Sequence, residues 1–253
     1  NYLLSGLGEN DWRYMMGIEA LPALLYTLLV LSIPKSPRWL HLNNQQDEAE
    51  KIIRDVYSKN DADELISEII KDKESSLKSE SIFQKKYSYI LMLAFLVAAF
   101  NQFSGINAFL YYAKRIFVEG GLGDNAALLS SVGIGLTNVI FTLIGINLID
   151  KLGRRILMYI GSVGYILSLT LISLYFMLKW EDIFLFSIYL FVFIASHAIG
   201  QGAIIWVYIS EIFPNHIRSY GQSFGVSTHW VLNAIIQSFI PFLFGWIGHG
   251  IVF

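Results

Sequence analysis

Cysteine is absent from the 253 residues, which excludes disulfides and thiolate metal sites but leaves the compartment open. Charge is scarce as well. Only 15% of residues are charged and the net charge is -2, so no basic excess points to nucleic acid as a partner. No phosphate-cradling Gly-Lys-Ser/Thr loop, metal-ligand set or catalytic triad is found. No covalent chemistry, metal or cofactor is therefore expected, and any work would draw on a gradient. The chain opens on Asn1 and ends at Phe253 inside an apolar run, with no cleavable signal peptide visible. It reads as a fragment.

What the sequence has in abundance is apolar surface. Hydrophobic residues make up 55% and the mean hydropathy is +0.52, too high for a typical soluble domain. The charges gather in one place: 21 of the 38 lie between Lys35 and Tyr89. That block belongs in water and most of the rest in lipid. Apolar runs at Tyr14–Ile33, Tyr89–Tyr112, Asn125–Ile149, Ile156–Leu178, Ile183–Ile212 and Ser219–Ile247 are long enough to cross a bilayer, with a further one beginning at the end. The reading is an all-α polytopic membrane protein. If the charged block and the turns at Lys151 and Asn215 are cytoplasmic, they hold 14 of the 18 Lys/Arg, in agreement with the positive-inside rule.

Within the charged block, Pro34 and Pro37 end the first span, and Asn43 or Asn44 can cap a helix whose apolar positions are Ala49, Ile52, Ile53 and Val56. Asp61 can cap a second, through Lys71, with Leu65, Ile66, Ile69 and Ile70 on one side. Both read as amphipathic surface helices. Glu19, inside the first span, has two readings: a carboxylate that snorkels to the interface, or a proton-linked group.

The stretch Phe100-Asn101-Gln102-Phe103-Ser104-Gly105-Ile106-Asn107 is the one that demands a reason, because amides deep in a membrane are costly unless they face a partner or a wet cavity. In an unbroken helix Gln102 and Asn107 would stand about 140° apart. They can share a cavity only if the helix loosens, and Ser104-Gly105 is where it would. Sugars present hydroxyls that donate and accept, so a sugar site calls for amides plus aromatic rings against the C–H faces. Asn138, Gln201, Trp206, His229, Trp230 and Asn233 add such groups in later spans, with His229, Asn233 and Gln237 following one another at i,i+4.

Residues 100–112 resemble the Q-Q-x-S-G-I-N-x-x-x-Y-Y signature of the sugar porter family, within the major facilitator superfamily. Three further family marks recur in order: Pro34-Lys35-Ser36-Pro37-Arg38, Asp150-Lys151-Leu152-Gly153-Arg154-Arg155, and Ser210-Glu211-Ile212-Phe213-Pro214 with Arg218. The resemblance is nearest to bacterial sugar:proton symporters. It implies residues 1–34 as the last helix of an amino-terminal half, 35–88 as a cytoplasmic helical linker and 89–253 as a carboxyl-terminal half of five spans and the start of a sixth, in an inner membrane. The implied activity is transport of a monosaccharide, pentose or hexose, by alternating access coupled to protons; alternatives are a transport-inactive sugar sensor or a carrier of a non-sugar solute.

By the same resemblance the substrate residues are Asn101, Gln102, Asn107, Tyr111, Asn138, Trp206, His229 and Trp230. Tyr112 closes the extracellular side, and Arg38, Asp150, Arg154, Arg155, Glu211 and Arg218 form a cytoplasmic latch. Among acids, Glu19 is the candidate for a proton link. Sugar, protons and the bilayer are the implied partners, without nucleic acid. The chain departs from the pattern at Asn101, His229 and Lys35, and Gly200-Gln201-Gly202-Ala203 replaces a G-P-G-P-like stretch.

Overall fold

The computed structural model describes Leu4, Gly8 and residues 10–76 and 81–246, and the run expected to begin a further span after residue 246 lies outside them. The chain divides into two units, Asn1–Glu80 and Ser81–Phe253. Among the described residues, six helical stretches are long and apolar enough to cross a membrane, the first in the former unit and five in the latter.

In the first unit, α1 (Asp11–Gly17) and α2 (Ala20–Val30) make the first apolar stretch. The expected single span is interrupted at Ile18-Glu19, and Glu19 stands at the entry to α2. The charged block folds into α3 (Pro37–Leu42), α4 (Gln46–Val56) and α5 (Lys59–Ser76). Pro37 occupies the first turn of α3, where its missing N–H costs nothing. Ile53, Ala62 and Ile69 form the small core, with Leu65 and Ile66 against it. Val56 and Ile70 face outward instead, because an apolar strip much wider than one helical face cannot all be covered by a single neighbour.

Both capping expectations need correction. Asn43 donates its side-chain amide back to the Trp39 carbonyl, and α4 begins after Gln45 with no side-chain cap. Ser58, not Asp61, precedes α5; its hydroxyl donates to Asp61 Oδ2 at 2.6 Å, while the Asp61 N–H points back at Ser58 Oγ at 3.5 Å. Asp61 thus sits in the first turn, where its charge favours the helix N-terminus. The helix runs on to Ser76, past Lys71, with Arg54 reaching from α4 to Asp63 at 2.9 Å.

The second unit holds α6 (Ser88–Phe103), α7 (Ile106–Tyr111), α8 (Ala113–Glu119), α9 (Asp124–Leu152), α10 (Arg154–Met177), α11 (Ile183–His197), α12 (Ala203–Ile212) and α13 (Arg218–Trp246). The α6/α7 break falls at Ser104-Gly105, with Gly105 left-handed at φ +75°. A second break separates α11 from α12, where Ala198–Gly202 winds as a π-turn. Helices in lipid gain no hydrophobic drive from meeting one another, so close approach through small residues must hold them. Here that approach is extreme. A Cβ on Gly161 of α10 would stand 2.6 Å from the Gly200 Cα, and one on Gly145 of α9 would stand 3.1 Å from the Ile199 carbonyl oxygen. Three helices therefore meet at the π-turn. Away from it, Phe109, Phe117, Tyr175, Phe186, Leu190 and Phe193 fill one core, and Ala94, Ala98, Ile205, Ile209 and Phe213 another.

Candidate functional site

The broken α6/α7 segment does what its sequence requires. Ser104 returns its hydroxyl to the Asn101 carbonyl at 2.6 Å, the left-handed Gly105 resets the helix, and Asn107 comes round beside Gln102. The Asn107 Nδ2 donates to Gln102 Oε1 at 3.1 Å. The Gln102 Nε2 in turn lies 2.7 Å from Nε2 and 2.9 Å from Nδ1 of His229 on α13, and donates to that ring. A chain of polar groups, Asn107 to Gln102 to His229, thus crosses from α7 through α6 to α13. Gln102 and His229 are buried. Buried amides without partners would each cost about 1–3 kcal/mol, and this chain meets part of that demand from within.

A cavity of about 210 Å³ opens beside the chain, lined by polar Asn101, Asn107, Asn138, Thr142, His197 and His229 together with Trp206 and apolar neighbours on α7 and α12. Trp206 meets the His229 ring edge-on at 4.8 Å between centroids, and Trp230 does so from another side at 5.4 Å. The π-turn places both of its flanks on this cavity, His197 before it and Gly202 at its end. His197 is buried and its Nδ1 has no hydrogen-bond partner, so the cavity wall keeps an unused polar group.

The expected substrate residues fall into three groups. Asn101, Asn107, Asn138, Trp206 and His229 line the cavity, and Gln102 is bonded to two of them. Trp230 touches the cavity only through His229 and is half exposed. Tyr111 is exposed and lines none of the cavities described here. Gln201 serves another purpose: it donates to Ser162 Oγ at 3.2 Å and fastens the π-turn to α10. Sequence reasoning passed over Thr142, although its i+4 spacing from Asn138 puts the two on one face of α9.

The gating residues are dispersed. Arg154 grips Glu211 with two bonds, Nε to Oε2 at 3.0 Å and Nη2 to Oε1 at 2.6 Å, and has Asp150 at 3.6 Å. Arg155 instead turns onto Tyr159, donating to its hydroxyl at 3.3 Å with the guanidinium 5.6 Å from the ring centroid. Arg218 donates to the Phe213 carbonyl at 3.4 Å. Tyr112 is half-buried and packs on the Phe109 and Ala108 clusters. In the other unit, Arg38 pairs with Glu68 at 2.9 Å and Lys35 lies 5.4 Å from the centroid of the Trp39 ring. Glu19 is exposed.

Comparison with known proteins sets this geometry in context. The model of a family described as sugar (and other) transporter matches residues 1–253. The arabinose-proton symporter of Bacillus subtilis is 33% identical over 93% of this chain and 51% of its own length, and the D-xylose-proton symporter of Escherichia coli K12 is 32% identical over 94% and 48%. The chain thus spans about half the length of the curated relatives it matches. Among solved structures, the major facilitator superfamily proton:xylose symporter XylE bound to 6-bromo-6-deoxy-D-glucose aligns with a TM-score of 0.84 at 28% identity, covering 99% of this chain and 55% of that one.

Proposed function

This chain belongs to the sugar (and other) transporter family, and from that premise we propose that it is the carboxyl-terminal part of a monosaccharide transporter that works by alternating access, with sugar movement coupled to protons. Its all-α membrane fold is that of the major facilitator superfamily. The observation that carries the proposal is the hydrogen-bonded chain from Asn107 through Gln102 to His229 at the edge of a cavity that also carries Asn101, Asn138 and Trp206. Such a set suits a pentose or hexose. Amides meet hydroxyls as donor or acceptor, and the indole ring offers an apolar face to C–H groups.

Gln102 and Asn107 are the direct partners of the sugar in this reading, with Asn101, Asn138 and His229 completing the ring of polar contacts and Trp206 and Trp230 as platforms. Tyr111 and Tyr112 close the far side. At the other end, Arg154 with Glu211 and Asp150 forms a latch whose making and breaking biases the two access states, since an ion pair made in one state only shifts the equilibrium toward it. Arabinose-proton, xylose-proton and glucose transporters among the relatives support both the sugar and the proton. In this reading the latch, beside the basic turn at Lys151, lies on the cytoplasmic side.

The deciding experiment is counterflow of labelled xylose, arabinose and glucose in proteoliposomes of the full-length protein, in the parent and in Asn107→Ala. Saturable counterflow of at least one sugar is expected, falling about tenfold or more in the variant, as loss of about 1.4 kcal/mol or more of hydrogen bonding would give. Absence of both binding and counterflow for all three sugars overturns the proposal. Proton coupling has its own check: uptake unchanged when the proton gradient is collapsed would remove that part.

A further inference from the structure

Three polar groups follow one another on α13 at i,i+4: His229, Asn233 and Gln237. The first is bonded to Gln102 and belongs to the cavity above. The other two have no such employment. Asn233 is 6% exposed and its Oδ1 has no partner; both amide atoms of Gln237 are buried and neither is hydrogen-bonded. Buried polar groups are nearly always satisfied, so each orphan asks for an explanation, and two in succession on one face ask for a common one.

The surroundings supply it. At about 100° per residue, Asn233, Ile236, Gln237 and Ile240 occupy a single face of α13 roughly 100° wide. Ile236 and Ile240 pack against Ala108 and Tyr112, so the short α7 segment and its end lie over this face. Between them is a second cavity, also about 210 Å³, lined by Gln102, Ser104, Gly105 and a set of apolar side chains that includes Phe109, Leu169 and Ile240. Gln102 therefore borders this cavity while bonding to Asn107 and His229, which line the other. The α7 cover is six residues long and bounded by the left-handed Gly105 and by Tyr112, where helical geometry ends. Neither Asn233 nor Gln237 lines the second cavity.

We propose that this second cavity is a ring-sized subsite that extends the sugar site past Gln102, with Asn233 and Gln237 as its hydroxyl-binding groups once α7 lifts, and that it admits the second ring of a disaccharide. The inference rests on the sugar-transport reading and deepens it. The apolar walls meet C–H faces of the ring and the two amides meet its hydroxyls. Gln237 stands about 12 Å along α13 from His229, a span that a two-ring ligand covers. Unpartnered amides lower stability, and binding would be what they are kept for.

The test uses the full-length protein in proteoliposomes, with xylobiose, cellobiose and maltose as competitors of labelled monosaccharide counterflow, in the parent, Gln237→Leu and Asn233→Leu/Gln237→Leu. At least one disaccharide is expected to compete in the parent, and its inhibition constant to rise fivefold or more in both variants, while in Gln237→Leu the monosaccharide KM stays within twofold. The purified Gln237→Leu protein is expected to melt at or above the parent temperature, since an orphaned amide has been exchanged for an apolar group of similar size. Competition by none of the three, equal competition in the variants, or a clear drop in melting temperature would each overturn the subsite. Loss of all monosaccharide counterflow in the parent would overturn the transport reading itself, which is a separate outcome.

Discussion

Two helices are interrupted beside the same cavity, and the interruptions are built in opposite ways. At Ser104-Gly105 the break is made by backbone conformation: Gly105 is left-handed, and a Cβ there would meet nothing nearer than the Phe109 ring at 3.9 Å. At Ala198–Gly202 the break is made by contact. The π-turn is pinned between Gly145 and Gly161, with backbone atoms where side chains would otherwise be, and Gln201 is tied to Ser162. The first break has room around it and the second has none. The two walls of the cavity are thus joined to their surroundings differently: α7 turns away from α6 through one left-handed residue, while the opposite wall, from His197 to Trp206, is held in register with α9 and α10 by close contact.

The largest expected effect breaks the clamped side. Gly161→Val or Gly200→Val sets side-chain atoms on the backbone of the facing helix, 2.6 Å away at the Cβ alone, and backbone cannot step aside as a rotamer can. Overpacking of this kind costs about 1–3 kcal/mol where side chains can adjust, and the cost here is expected at or above the top of that range. Size-exclusion profiles and melting of detergent-purified protein check it. Little monodisperse protein is expected from either variant; a normal yield with unchanged melting would mean that the π-turn is not clamped.

How far this contrast was legible beforehand differs between the two breaks. Ser104-Gly105 could be read because glycine after serine, in a membrane span with amides on either side, has few other uses, and Gln102 and Asn107 could meet only if the helix relaxed there. The π-turn was half legible: its glycines announced a kink, but not that Gly200 would meet Gly161, 39 positions upstream, and Ile199 would meet Gly145, 54 positions upstream. Close approach between distant helices leaves no periodic trace in one sequence. Capping was misread in the linker because Asn43 satisfied a carbonyl behind it and Ser58 took the position assigned to Asp61; both residue pairs obey the same local chemistry, and a shift of a few residues decides between them. The gate arginines were legible as a group but not individually. Arg154 and Arg155 are adjacent, so they point about 100° apart on the helix, and only packing decides that the first meets Glu211 and the second Tyr159.

A smaller effect is expected where the clamped wall meets water. The Arg154–Glu211 pair joins α10 to α12, the helices adjoining the π-turn, and both side chains are partly exposed. Arg154→Ala is expected to leave the protein folded and slow turnover several-fold, by shifting the access equilibrium rather than by removing sugar contacts. Exchanging the two charges, Arg154→Glu with Glu211→Arg, is expected to restore part of the rate, whereas either reversal alone is worse than alanine. Turnover and sugar affinity measured in parallel separate the cases: a change confined to affinity would place the pair outside the latch role.

The loose side is sharpened by a pair of substitutions at one residue. Gly105 has the space for a side chain but not the backbone conformation, since φ +75° costs most L-residues about 1–2 kcal/mol. Gly105→Ala is expected to lower stability by roughly that amount. Asparagine visits the left-handed region far more readily, so Gly105→Asn is expected to cost well under half as much, the smallest effect of the set. Melting of the purified variants checks the order parent, Asn, Ala. If alanine and asparagine were equally damaging, the fault would lie in space rather than in conformation, and the two breaks would be of one kind. If both were silent, the segment would have another backbone conformation available to it, and the left-handed turn would not be what brings Asn107 beside Gln102.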